Sequence, residues 1–204
     1  MTTELQRRIA ENKQTQATDL NLENLDITGF EPELLELADF KWLEDLDLSN
    51  NRITDISFLK PLFDLKDLGY VFLNNNLIED LTPLSSYKDN SEDGEYRDYP
   101  YWSLYLNNNR IKDLSPLKGK AFSTFSVENN LIDTITLDVP YADDHFRFAG
   151  NPVLERMSNL LGSRIGEGVW VAIRLQTIDQ IPDDIYPYDE VRECLEILKQ
   201  RGEL

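Results

Sequence analysis

The chain has 204 residues, 41% of them hydrophobic and 28% charged, which is enough apolar material for one folded domain with a continuous core. Acidic residues outnumber basic ones by 38 to 20, and the formal net charge is −18. This charge argues against nucleic acid and anionic membrane surfaces as partners, because both are polyanionic. It favours a basic protein partner, whose approach a negative field speeds and orients.

The single cysteine, Cys194, allows neither a disulfide within the chain nor a zinc site built from cysteines. The first residues lack the apolar core of a signal peptide, and no apolar run has the length needed to span a bilayer. We therefore expect a reducing, cytoplasmic location.

The N-terminal segment predicts a short helix over residues 3–13. Thr3 and Gln6 fit a capping box, and Leu5 with Ile9 forms an apolar pair four residues apart. Residues 1–16 are therefore expected to cover one end of the fold.

The central part of the chain repeats the pattern Leu-x-x-Leu-x-Leu-x-x-Asn-x-Ile-x-x-Leu/Ile. Weaker units lie on either side, and the first of them keeps Ile27 and Phe30 but has Leu25 at the asparagine position. Successive units are 26, 25, 33, 21 and 21 residues apart, so the third interval contains an insertion. The four strong units span residues 43–59, 68–84, 101–117 and 122–135, and the weak ones 19–30 and 146–153.

Alternating apolar residues in each unit are typical of a short strand with one buried face. The asparagine falls where the chain leaves the strand, and its amide can satisfy buried backbone groups at that turn. We assign these asparagines no chemistry. They are Asn51, Asn76, Asn109, Asn130 and Asn151.

The pattern resembles the leucine-rich-repeat family, and its Asn-x-Ile-x-Asp endings are similar to those of bacterial internalins and a phosphatase regulatory subunit. The resemblance covers residues 17–154. It implies an α/β repeat solenoid, a short parallel-strand horseshoe of about six repeats, and is nearly silent on function. We expect a helical cap over 1–16 and a strand–helix cap over 155–204, where Cys194 lies on the apolar side of an amphipathic helix as an inert core residue.

Short helical turns are predicted to start at Thr82-Pro83 and Ser115-Pro116, with the hydroxyl as cap and proline in the first turn. An aspartate recurs two residues after each repeat isoleucine, at Asp55, Asp80 and Asp113. These carboxylates fit either capping or a row of metal ligands, and capping is the ordinary role of acidic residues at such turns.

The insertion, residues 87–100, leaves three alternatives open. Asp89-x-Ser91-x-Asp93-Gly94 matches the first half of a calcium loop, but Pro100 stands where a bidentate Glu is needed. A solvated acidic loop is the simplest interpretation. The third alternative is contact with a partner through tyrosines around the loop, namely Tyr87, Tyr96, Tyr99 and Tyr101.

Outward-pointing strand positions form what we call the concave face, which is acidic at one end and aromatic in the centre. They are Asp19, Asn21, Glu23, Asp45, Asp47, Ser49, Tyr70, Phe72, Asn74, Ser103, Tyr105, Asn107, Thr124, Ser126, Glu128, His145, Arg147 and Ala149. Aromatic side chains ringed by charge are typical of interface hot spots, unless the insertion or the C-terminal segment covers them. We predict partner contacts from Asp19, Glu23, Asp45, Asp47, Tyr70, Phe72, Tyr105, Glu128, His145 and Arg147.

Catalysis is disfavoured. His145 is the only histidine, and the carboxylates lie on an open surface with nothing to exclude water. We expect no catalytic residue, cofactor, metal or small-molecule substrate. The hypothesis is a protein-binding module that neutralises a basic toxin or enzyme, as immunity proteins do. The alternatives are a scaffold or regulatory subunit, as in a phosphatase complex, and a homodimer formed through the aromatic patch.

Overall fold

In the computed structural model, residues 3–88, 102–133, 141–153 and 200 are described, except for the side chains of 141–146. The described residues form one parallel sheet of six strands, arranged in chain order. This confirms the repeat solenoid expected from the sequence. The strands are β1 (Asp19–Asn21), β2 (Asp45–Asp47), β3 (Tyr70–Phe72), β4 (Ser103–Tyr105), β5 (Ala121–Ser126) and β6 (Tyr141–Arg147).

The N-terminal helix α1 spans Glu4–Thr15, two residues beyond the predicted end. The capping box is present: Gln6 N donates to Thr3 Oγ1, and Thr3 N donates to Gln6 Oε1. Leu5 and Ile9 are buried, as predicted. Asn12, whose role the sequence did not reveal, donates from Nδ2 to the carbonyl of Asp19 at 2.9 Å. The helix thereby pairs backbone groups that the edge strand would otherwise expose.

The inward positions of strands β1 to β5 pack into one core. The third apolar position of each repeat is buried, at Leu22, Leu48, Leu73, Leu106, Val127 and Phe148. The assignment of Phe30 to the repeat core is wrong, because its side chain is 69% exposed. In this repeat the 3₁₀ segment Pro32–Asp39 supplies Leu34 and Leu37 to the core instead.

Each repeat is bonded to the preceding one through its asparagine. Asn76 is typical: Nδ2 donates to the carbonyls of Leu48 and Leu73, and Oδ1 accepts from Ile53 N at 2.9 Å. The same donors and acceptors recur at Asn51, Asn109, Asn130 and Asn151. The ladder therefore satisfies buried backbone groups that have no strand partner, as predicted.

The residue before each ladder asparagine has a left-handed backbone, and the sequence analysis overlooked it. Four of these residues are themselves asparagine, which tolerates positive φ better than most residues. The Asn-Asn pair in these four repeats was the sequence signal for the left-handed residue. The φ angles are 57° at Asn50, 55° at Asn75, 56° at Asn108 and 53° at Asn129, and Gly150 takes the place in the last repeat at 72°.

On the side away from the strands, short 3₁₀ segments span Ser57–Asp64, Thr82–Ser86 and Ser115–Leu117. The predicted starts at Thr82-Pro83 and Ser115-Pro116 are confirmed. The predicted hydroxyl caps are wrong, because the capping positions are Leu81 and Leu114, and Ser115 Oγ donates to Asp113 Oδ2 at 2.7 Å. The aspartates cap these segments instead, as their recurrence suggested: Asp80 Oδ1 accepts from Thr82 N at 2.7 Å. Hydrogen bonds from Thr82 also lower the pKa of Asp80.

The two ends of the insertion meet in an aromatic cluster. Trp102 N donates to Tyr87 Oη at 3.0 Å, and the Tyr87 ring stacks on Phe122 with centroids 5.2 Å apart. Phe63 packs edge-on against both Tyr87 and Trp102. Tyr87 is 1% exposed, so its predicted availability to a partner is wrong, because its ring fills the core between repeats.

Other predictions fall on residues outside the described set. These are the loop alternatives resting on 89–101, including calcium binding and the three remaining tyrosines, and the C-terminal cap with Cys194. The domain boundaries stay predictions. Among the described residues, no helix combines the length and apolarity required to cross a membrane.

The ladder should carry a large share of stability at each repeat. Asn76→Ala is expected to cost about 2–4 kcal/mol, because it leaves several buried backbone groups unpaired. Asn75→Gly is the matched control: the side chain is exposed and glycine adopts its positive φ freely, so the change should stay within about 0.5 kcal/mol. Urea denaturation of both variants checks this, and equal losses would contradict the role of the ladder.

Candidate protein-binding face

The parallel register aligns the outward residues of successive strands in rows. In the first row Asp19 pairs with Asp45, Asp45 with Tyr70, and Tyr70 with Ser103. The second row continues across all six strands as Asn21, Asp47, Phe72, Tyr105, Ser126 and Arg147. The concave face therefore changes along the sheet from acidic to aromatic, as predicted, and ends on a cation at Arg147.

The three predicted aromatic residues form one patch, in which Phe72 stacks on Tyr105 of the adjacent strand and Tyr70 lies beside Phe72 on the same strand. The ring centroids of Phe72 and Tyr105 are 4.8 Å apart at an interplanar angle of 14°. Tyr70 and Phe72 are 6.3 Å apart at 10°. All three side chains are half-buried, and contact between the rings covers part of Phe72 and Tyr105.

The acidic end places carboxylates on neighbouring strands. Asp19 is exposed, whereas Asp45 and Asp47 are half-buried. Partial burial, followed by repulsion from Asp19, raises the pKa of Asp45. Asp47 Oδ1 accepts from Ser49 N at 2.8 Å, which fixes the orientation of that carboxylate. Glu23 is half-buried at the same end and accepts a long bond, 3.4 Å, from Asn50 Nδ2.

Part of the predicted concave face is closed. Ser103, Thr124 and Ser126 are 5%, 8% and 0% exposed, so the expectation that these strand positions face solvent is wrong. Their side chains are short, and Ser126 Oγ donates to Asn107 Oδ1 at 2.8 Å rather than to water. Ser49 is likewise 7% exposed. The accessible part is therefore concentrated at the acidic and aromatic end.

Hydrogen bonds between asparagines brace the face beside the aromatic stack. Asn107 N donates to Asn74 Oδ1 at 3.0 Å, and Glu128 N donates to Asn107 Oδ1 at 2.7 Å. The first asparagine of each Asn-Asn-Asn triplet was the sequence signal for this bracing, and the sequence analysis did not use it. The role is structural: it holds three strands in register at the place where the rings stack.

The remaining predicted contacts lie at the far end. Glu128 is half-buried and Arg147 is exposed. The backbone of His145 pairs with Thr124 across a register shift in β5 and β6. The side chain of His145 is outside the described set. Among the described residues, no group of three His, Cys, Asp or Glu is placed to hold a metal ion.

The acidic pair on β1 and β2 should lower the stability of the free chain. Because the pKa of Asp45 is raised on folding, the folded state disfavours its ionised form. The resulting loss of folding stability is absent at pH values below the ordinary pKa of Asp, and it is complete at pH values above the raised pKa of the folded state. Asp45→Asn should therefore raise Tm at pH 7 and leave it nearly unchanged at pH 3. Thermal denaturation at both pH values checks this, and a lower Tm at pH 7 would contradict it.

Comparison with known proteins gives a family-model match over part of the chain. Residues 41–86 match the family model described as Leucine Rich repeats (2 copies). No curated protein matches the chain. Leucine-rich-repeat domains generally mediate protein–protein interaction.

Two similar solved structures are internalins from Listeria monocytogenes. One is 21% identical with a TM-score of 0.37, and the match covers 62% of this chain and 39% of that one. Internalin C2 is 20% identical with a TM-score of 0.32, covering 66% of this chain and 72% of the other. The chain thus spans well under two thirds of the first structure. Residues 41–86 therefore carry leucine-rich repeats, and the repeated strand units and asparagine ladder of the described residues show a leucine-rich-repeat solenoid fold.

Proposed function

We propose that the chain is a non-catalytic module that captures a basic protein partner on the acidic and aromatic end of its concave face. The observation that carries this proposal is the row in which Asp47, Phe72 and Tyr105 occupy matching positions on three adjacent strands. A fixed carboxylate beside stacked rings combines the two features of an interface hot spot, namely an aromatic anchor and an oriented charge.

The energetics of the free chain support this assignment. Three aromatic side chains are held at partial exposure on a sheet face where polar residues would fold equally well. Beside them, partial burial and then repulsion from Asp19 raise the pKa of Asp45. A cationic partner would cover the partly exposed rings and neutralise the repulsion between the two carboxylates. Both are more readily explained by selection for binding than by selection for stability.

The charge of the chain suits the neutralisation of a basic enzyme or toxin. A net charge of −18 accelerates encounter with a cationic partner and selects against anionic competitors. In this form of the proposal the chain is an inhibitor or immunity protein that works in the cytoplasm. The second candidate function is that of a scaffold or regulatory subunit. In that case the same face would bind the partner without blocking the partner's active site. An activity assay of the purified partner with and without the chain separates the two.

Binding should depend on the concave face and on salt. Asp47→Lys and Phe72→Ala are expected to weaken capture of the partner by about tenfold or more, because each alters a central hot-spot position. Asp39→Lys is the matched control: it makes the same charge change at an exposed position on the 3₁₀ side of the sheet.

The measurement begins with affinity capture from the native lysate and continues with surface plasmon resonance on the purified partner. Raising the ionic strength from about 50 to 500 mM should lower the association rate constant steeply, because salt screens the steering field. Equal capture by Asp47→Lys and Asp39→Lys, or a complex insensitive to salt, would contradict the proposal.

A further inference from the structure

The ring stack has a direction that determines what its free side faces. Phe72 and Tyr105 are register partners, and their ring centroids are separated by 4.8 Å, about the spacing of adjacent strands. The rings therefore stack along the line that runs from strand to strand. One face of Phe72 lies against Tyr105. Its other face is turned toward β2, where the register partner of Phe72 is Asp47.

This arrangement produces a slot with an aromatic wall and acidic neighbours. The wall is Phe72, backed by Tyr105, and Asp47 lies on the adjacent strand with its carboxylate oriented by Ser49 N. Asp45 lies two residues back on the same strand and the same face. The pair Asp19 and Asp45 adds negative charge at the open end of the slot. Both the wall and the charges belong to short strands that hydrogen bonds hold in register with their neighbours.

An arginine side chain fits this chemistry better than a lysine side chain. The guanidinium group is planar, delocalised and weakly hydrated, so it can stack on a ring face while its edge donates to carboxylates. The lysine ammonium is a compact, strongly hydrated point charge, and it loses more solvation against an aromatic wall. A carboxylate beside the ring adds the charge-assisted hydrogen bond that the edge of a guanidinium requires.

Resting on the proposed function, we propose that this slot binds an arginine side chain of the partner, stacked on Phe72 and hydrogen-bonded to Asp47 and Asp45. The occupant is thus an arginine-bearing segment of a basic protein. Charge complementarity argues for it over an apolar segment, because the slot is flanked by three carboxylates. A second copy of this chain is a weaker occupant, since its net charge of −18 repels another copy.

The test uses the full ¹⁵N-labelled chain and two defined probes, acetyl-Gly-Arg-Gly-Arg-Gly-amide and its lysine counterpart. Each is titrated at low salt while backbone amide shifts are followed by NMR. We expect shifts centred on residues 45–49 and 70–74, and an affinity for the arginine peptide about fivefold higher. Phe72→Leu, which keeps an apolar side chain but removes the ring face, should abolish that preference. Asp47→Asn should weaken both peptides.

Phe30→Leu is the matched control, because Phe30 is an exposed ring outside the concave face and its loss should leave the preference intact. Dispersed amide spectra of each variant verify folding. If both peptides bind the face equally, and Phe72→Leu changes nothing, the arginine slot is overturned while capture of a basic partner survives. If neither peptide shifts the face at millimolar concentration, both proposals fail. Self-association at NMR concentrations that Phe72→Leu removes would assign the slot to a second copy and overturn the inference.

Discussion

The structure depends on how the backbone is hydrogen-bonded where each repeat leaves its strand. At that point the chain turns inside the protein, and its N–H and C=O groups have no neighbouring strand to pair with. The asparagine side chain replaces the missing partner, donating to carbonyls of two successive repeats and accepting from the amide of the preceding isoleucine. Because every such side chain bonds both to its own repeat and to the previous one, the ladder also fixes the register between them.

Because the register between strands is fixed, residues from different repeats are aligned on one surface. The interval between the strands β3 and β4 is the longest in the chain, yet Tyr70 still pairs with Ser103, and Phe72 with Tyr105. Tyr87 and Trp102, which flank the extra residues in the sequence, contact each other through a hydrogen bond and their rings. Asp47, Phe72 and Tyr105 consequently occupy one row although 58 residues separate the first from the last. Their alignment is a property of the ladder rather than of their local sequences.

The proposed binding face is expected to reduce the stability of the free chain. Partial burial of Asp45 next to Asp19 disfavours ionisation, and partly exposed rings leave apolar surface in contact with water. A face selected only for folding would replace both with neutral polar residues. The rest of the molecule offsets the penalty through the buried apolar core, the asparagine ladder and α1, which covers the edge of β1. In this proposal the inward sides of the short strands provide stability and their outward sides bind the partner.

The sequence by itself determined the number of repeats and which strand residues face the core, because both follow from the periodicity of apolar residues. It also determined the N-terminal helix, through its local capping residues, and the grouping of the aromatic residues on neighbouring strands. Solvent exposure was decided by tertiary structure, since it depends on neighbours contributed by other repeats. Phe30 is exposed because Leu34 and Leu37 fill its place, and Tyr87 is buried because Phe63, Trp102 and Phe122 surround it. Ser126 points outward and is nevertheless buried, and its hydroxyl donates to Asn107, which follows the adjacent strand β4. The alternation of side chains along a strand determines which way each side chain points, whereas packing between strands determines whether that side chain is exposed to solvent.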